Sequence, residues 1–288
     1  MNVLLTGASG FIGRNISSAL IAAGHRIKPV SRSQGIDFCR MLTIECWLPH
    51  LQGIDAVINC VGIIGESGSQ RFETLHTMAP SALFEACSQA GVNRVLQISA
   101  LGADDSAFSA YHLSKRATDD WLRKSPLDWF VLRPSLIYGR GGKSAELFMS
   151  LARLPLIPVI GGGKQALQPV HINDVVATVL KALTSSNVKQ TLDIVGTETI
   201  TFADWLQIMR QAQGLSRARL FNVPYLLAKE FSRIGRYFNP ILQPENLAML
   251  QAGYWADVQP LIQFLGRKPM RVESHLFFSD IKCSRSES

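Results

Sequence analysis

The chain has 288 residues, enough for one large core or two unequal domains. A composition of 47% hydrophobic and 18% charged residues is that of an ordinary folded protein, leaving only the last residues, "CSRSES", as an expected frayed tail. A formal charge of +7 suits an anionic ligand, a membrane surface or nucleic acid, yet no run of Lys and Arg with interleaved aromatics marks a nucleic-acid face.

The predicted elements begin at once. "NVLLT" is a short apolar strand, followed by "TGASGFIGR" with Gly7, Gly10 and Gly13 at G-x-x-G-x-x-G spacing. Glycine lets the backbone turn tightly and lets a pyrophosphate approach the N–H groups at a helix start. Because the loop follows a strand and opens an amphipathic helix, "FIGRNISSALIAAG", it is read as a nucleotide cradle made by Gly7, Ser9, Gly10, Phe11, Ile12 and Gly13. A second strand, "RIKPV", runs into "VSRS". No acid stands there to accept ribose hydroxyls. Ser31, Arg32 and Ser33 suit a 2′-phosphate instead, so NADP is expected over NAD.

The strand "DAVINCVG", the helix "TLHTMAPSALFEACSQAG" and the strand "NRVLQISA" come next, then the helix carrying "YHLSK" and the strand "DWFVLRP". Strands separated by helices of this length predict an α/β fold with a doubly wound parallel sheet. Tyr111 and Lys115 stand four residues apart on one helix face, where the ammonium is expected to lower the phenol pKa from about 10. Such a tyrosine passes a proton at neutral pH. His112 and Ser114 point away from that face and are read as structural or solvent-facing.

After about residue 138 the regularity fades into glycine-rich loops, including "IPVIGGGK". Helices resume at "NDVVATVLKAL" and at "TFADWLQIMRQAQG", where Thr201 and Asp204 make a capping box. His171 and Asp174 read as a hydrogen-bonded turn and helix cap, so no metal site is predicted. "VPYLLAKEFSRIGRYF" puts Leu227, Phe231, Ile234 and Phe238 on one face, with Lys229, Arg233 and Arg236 elsewhere around it. That stripe either packs onto the nucleotide domain or touches anionic lipid or a hydrophobic, quinone-like substrate. Trp205, Tyr225, Phe231, Phe238 and Trp255 are read as core. The division expected is a nucleotide-binding domain over 1–185, a smaller, mostly helical lobe over 186–282, and the tail 283–288.

Cys39, Cys46, Cys60, Cys87 and Cys283 are odd in number and form no C-x-x-C, which argues against a disulfide framework or zinc site and for free thiols in a reducing compartment. No signal peptide or membrane-spanning stretch is read, so a cytoplasmic protein, at most peripheral to a membrane, is expected.

Taken together, "TGASGFIGR", "NCVG", "ISALGAD", "YHLSK", "LRPSLIYG" and "HINDVV" resemble the extended short-chain dehydrogenase/reductases. The resemblance points to the atypical branch labelled nucleoside-diphosphate-sugar epimerases, which includes the nucleotide-binding accessory subunit of respiratory complex I. It implies that Tyr111 is the acid/base, that Lys115 holds the ribose and tunes the phenol, and that Ser99 orients the substrate oxygen. It also puts Asp37 beside the adenine, Asn59, Cys60, Val61 and Gly62 along the adenosine, and Pro134, Ser135 and Leu136 at the nicotinamide. Ser99 is followed by Ala100 and Leu101 rather than by further serines, and His76 stands where asparagine is common. Two functions stay open: an oxidoreductase or epimerase-like enzyme, or a non-catalytic NADP(H)-binding module for assembly or redox sensing. The enzyme's partner would be a small molecule, either a nucleotide sugar or a hydrophobic carbonyl or quinone.

Overall fold

The computed structural model describes residues 1–235 and 240–277, so the tail 283–288, Cys283, Arg236 and Phe238 lie outside the described residues. In chain order the first elements are β1 Asn2–Thr6, α1 Phe11–Ala22, β2 Arg26–Val30, α2 Ile44–Leu51, β3 Ala56–Asn59, α3 Ala79–Ala90, β4 Arg94–Ile98, α4 Ala110–Lys124 and β5 Asp128–Pro134. There follow β6 Ile137–Tyr138, α5 Lys143–Ala152, β7 Leu156–Ile160, β8 Ala166–Leu167, β9 Val170–His171, α6 Ile172–Thr184 and β10 Gln190–Ile194. The last are β11 Ile200–Thr201, α7 Phe202–Ala212, β12 Arg219–Val223, α8 Tyr225–Gly235, α9 Pro244–Ala252 and α10 Gln259–Leu265.

Six strands form one all-parallel sheet in the order β10-β5-β4-β3-β1-β2. Its middle strands are apolar at nearly every position because helices cover both faces: all of β3 is buried, and so are the last four residues of β1 and β4. The sequence reading places no element between β2 and β3, yet α2 forms there, seating Trp47 and Leu51 in the core despite Pro49 in its last turn. Likewise the helix predicted from Thr74 begins as a π-type turn over Glu73–Met78 before α3 takes over.

The chain forms two compact units. Among the described residues, the first joins Met1–Pro134 to Asn173–Ile194, and the second joins Ser135–Ile172 to 195–277. The second holds three two-stranded sheets, β11-β8, β12-β7 and β6-β9. Its core is built on Tyr138, Trp205 and Phe277, whose ring centroids lie 5.0–5.5 Å apart. Of the aromatics read as core, Trp205 is buried and Tyr225 half-buried. Phe231 and Trp255 are exposed, as are Leu227 and Ile234 of the α8 stripe. That expectation is corrected: the helix packs through its other side.

Candidate active site

In a parallel sheet the strands' carboxyl ends share one edge, and a crevice opens where successive strands depart in opposite directions. Here β2 lies on one side of β1 and β3 on the other, so the switch point falls between β1 and β3. The loops after both strands carry the sequence-predicted residues.

Gly7 continues β1 with φ +67°, and its N–H donates to Val30 O at 2.9 Å. A Cβ there would meet Cys60 C and O at 2.9 Å, which no side chain tolerates. At Gly13 it would collide with Gly7 O. Only glycine therefore allows the loop to lie against both the β3 end and the first turn of α1. Gly10 caps α1 without a side-chain acceptor, and no acid stands in the first turn. The N–H groups of Phe11, Ile12 and Gly13 keep the positive end of a twelve-residue helix. Ser9 is exposed at this loop.

At the end of β2, Ser31 is buried, with its hydroxyl 2.7 Å from Ser33 Oγ and also bonded to Gln34 Oε1. Arg32 and Ser33 are exposed. Asp37 accepts from the Cys39 N–H at 3.1 Å, capping the short turn Phe38–Arg40.

Asn59, at the end of β3, is wholly buried. Its Oδ1 accepts from Thr6 Oγ1 at 2.5 Å and from the Val61 N–H at 3.2 Å, and its Nδ2 donates to Gln97 Oε1 at 2.7 Å. Asn59 thus ties β1, β3 and β4 together. Gly62 passes close to α4: a Cβ there would lie 3.1 Å from Lys115 Nζ and 3.6 Å from His76 Nε2. His76 latches this loop. The Ile63 N–H donates to its Nε2 at 3.0 Å, which leaves the ring proton on Nδ1, 2.9 Å from Ser114 Oγ. Ser114 in turn donates to Tyr111 O at 2.8 Å. His112 is buried, with its N–H on the α4 cap Ser109. Both residues flanking the tyrosine–lysine face are therefore structural, and neither faces solvent fully.

Lys115 is 3% exposed, and its ammonium donates to Val61 O at 3.1 Å and Ile98 O at 3.0 Å. Burial pulls its pKa down, against Asp119 and Cys60. Tyr111 is half-buried among the rings of Phe72, His76 and His112, at centroid distances of 6.0, 5.6 and 5.1 Å. Burial, then the charge of Asp119, pushes its phenol up to about 12. The expected lowering by Lys115 is corrected: burial and the charge of Asp119 decide the direction.

Ser99 also differs from its expected placement. Its hydroxyl donates to Asp119 Oδ2 in the interior, one turn beyond Lys115, instead of being left for a ligand. Burial raises the Asp119 carboxyl, opposed by the Ser99 bond and by Lys115. Pro134 closes β5, and its carbonyl accepts from the Leu101 N–H at 2.9 Å. Ser135 and Leu136 belong to the second unit, where Ser135 Oγ donates to Gln168 O at 2.5 Å and Leu136 O accepts from the Val170 N–H at 3.0 Å. Asp119, Gln97 and Thr6 were not singled out by sequence reasoning. Asp119 had one signal, its place four residues after Lys115 on the same helix face. Among the described residues no group of three His, Cys, Asp or Glu side chains is placed to hold a metal ion.

A model described as the NAD dependent epimerase/dehydratase family matches residues 3–195. The chain belongs to that family. Among curated relatives, the ceramide reductase of Caulobacter vibrioides is 28% identical over 236 residues, 77% of this chain and 73% of the relative. The mitochondrial NADH dehydrogenase (ubiquinone) 1 alpha subcomplex subunit 9 of Mus musculus is 26% identical over 193 residues, 61% of this chain; the match spans about half, 51%, of that subunit. Among solved structures, the UDP-glucuronic acid 4-epimerase of Bacillus cereus, in complex with UDP-glucuronic acid and NAD, superposes with TM-score 0.73 over 96% of both chains at 18% identity. That likeness shows the fold. The epimerase/dehydratase assignment implies a nicotinamide dinucleotide, and the glycine loop fits one: an uncapped helix start without acids leaves N–H groups for a pyrophosphate.

Proposed function

We propose that this epimerase/dehydratase family member is an NADP(H)-dependent oxidoreductase that reduces a carbonyl substrate, with Tyr111 as proton donor. The observation that carries it is the seating of Lys115, whose ammonium is fixed by the carbonyls that end β4 and follow β3. Two of its three protons are used there, and the third is available to a ribose hydroxyl. When bound, the nicotinamide supplies the hydride. Tyr111, held protonated through neutral pH, suits the reductive direction, in which a phenol gives its proton to an alkoxide developing beside it. The preference for the 2′-phosphate rests on Arg32 and Ser33 at the end of a strand with no acid there. The Caulobacter relative, a reductase by name, supports a hydrophobic carbonyl over a nucleotide sugar.

The alternative, a module that holds the nucleotide without turnover, is favoured by one observation: the hydroxyl of Ser99 is engaged by Asp119. Tyr111→Phe and Lys115→Met separate the two. The reductase reading expects Tyr111→Phe to keep cofactor affinity and to lose about 10²–10⁴-fold in turnover of a surrogate carbonyl, whereas Lys115→Met damages binding and turnover together. Undiminished turnover in Tyr111→Phe removes the proton donor, and with it this mechanism.

A further inference from the structure

The chain enters α3 through the π-type turn Glu73–Met78, in which His76 is wholly buried. Such turns are rare and recur at functional sites. Three side-chain bonds join this one to α4. Thr77 Oγ1 donates to Ser114 O at 3.2 Å, Thr118 Oγ1 donates to His76 O, and the His76 Nδ1–H donates to Ser114 Oγ at 2.9 Å. The Phe72 ring stacks on the imidazole at 29°, with centroids 5.3 Å apart. The ring is therefore fixed relative to α4, and its Nε2 lone pair is aimed at the loop after β3.

That loop carries Val61 O, one of the two carbonyls on the Lys115 ammonium. Two peptide groups set its course: the Val61 N–H donates to Asn59 Oδ1 at 3.2 Å, and the Ile63 N–H donates to His76 Nε2 at 3.0 Å. Asn59 anchors the near end in the sheet, and His76 anchors the far end on α4. Between them stands Gly62, where a Cβ would come within 3.1 Å of Lys115 Nζ and 3.6 Å of His76 Nε2. Imidazole and ammonium close on the same residue. The imidazole can accept the Ile63 N–H only while neutral, because a protonated Nε2 has no lone pair to offer. Burial, then the charge of Lys115, holds its pKa well below the ordinary 6.5, so the acceptor persists through neutral pH.

We propose that His76 is a positioning residue for the dinucleotide: by holding the Ile63 end of the loop it fixes Val61 O, and through it the Lys115 ammonium, where the ribose meets it. It sets nucleotide affinity without touching the nucleotide. The inference rests on the ribose role proposed for Lys115, and not on turnover at Tyr111. The test is the Kd of the full chain for NADPH, read by nucleotide fluorescence at neutral pH, with folding checked by circular dichroism. His76→Phe keeps a ring against Phe72 but leaves the Ile63 N–H without its acceptor, and should weaken NADPH about tenfold, the worth of one buried hydrogen bond. His76→Gln, whose amide reaches the position of Nε2, should recover most of that affinity. Thr77→Val cuts another tie between the turn and α4 and spares the loop bond, so it should bind NADPH as the parent does. Ser114→Ala removes the ring's second partner at a half-buried position and should cost about threefold; it decides the matter if phenylalanine is not tolerated in the core. Parent-like affinity in His76→Phe and Ser114→Ala, or an equal loss in Thr77→Val, overturns the proposal alone, for the turn would then serve packing only. A parent that binds neither NADPH nor NADH overturns the ribose role of Lys115 and this inference with it.

Discussion

Burial shifts the ionisable side chains around Tyr111, among them His76, His112, Lys115 and Asp119, and His112 shows the consequence most directly. Burial, opposed by a hydrogen bond at Leu101 and the charge of Asp104, brings its pKa from 6.5 to about 4. The unfolded chain takes up this proton near 6.5, while the folded ring resists until about 4. Between those values the unfolded state therefore binds more protons, and stability falls as pH drops through the window. The loss attributable to this ring reaches about 3 kcal/mol at most. His76, held well below its ordinary value by burial and by Lys115, adds in the same direction. Urea unfolding at pH 7 and 4.5 measures it: the His112→Gln protein should lose less stability on acidification than the parent, and an unchanged loss would place the sensitivity elsewhere. At this scale the sequence was legible where spacing alone decides, as for Tyr111 and Lys115 on one helix face. It was not legible where a partner far along the chain decides. Nothing local to Ser99 announces that Asp119, twenty residues on, takes its hydroxyl, and nothing local to Lys115 announces that Val61 O and Ile98 O hold its ammonium.

Among the elements, β1, its glycine loop and α1 behave as one piece, because Gly13 allows the helix start to touch the strand end. Replacing a helical glycine by alanine ordinarily stabilises by up to about 1 kcal/mol. At Gly13 the added methyl meets Gly7 O and Ala8 Cα, both backbone, and neither can move aside cheaply. Gly13→Ala should therefore be destabilising by about 1–3 kcal/mol and lower the melting temperature by roughly 2–10 °C. Ser18→Ala, on the exposed side of the same helix, should leave it unchanged within a degree or two. A Gly13→Ala protein as stable as the parent would contradict this close approach. The same elements explain what could be read in advance. β1, β3 and β4 are nearly continuous apolar runs because both their faces are covered. β10 has a neighbour on one side only, and its "QTLDI" buries just two of five positions, too weak a pattern to stand out. α2 has eight residues and a proline, which together hide a helix that tertiary packing nonetheless stabilises.

For the molecule as a whole, a ligand that binds only the folded chain raises its stability by mass action, about 2.7 kcal/mol at a hundredfold excess over Kd. NADPH should raise the melting temperature more than NADH at equal concentration. Arg32→Ala should cancel most of that difference by costing NADPH about 1–3 kcal/mol of affinity while leaving NADH nearly unchanged. Equal losses for both cofactors, or tighter NADH binding in the parent, would remove the 2′-phosphate reading. No helix among the described residues is long and apolar enough to cross a membrane. The interleaving of the two units has a further consequence, for the ribosome. β5 is complete when Pro134 has been made, but β10, its outer neighbour in the sheet, ends at Ile194, sixty residues later. At about 5–20 residues per second, a strand with four consecutive buried positions waits roughly 3–12 s with one hydrogen-bonding edge unpaired. In that interval the nascent chain is most exposed to edge-to-edge pairing with its neighbours on the same message.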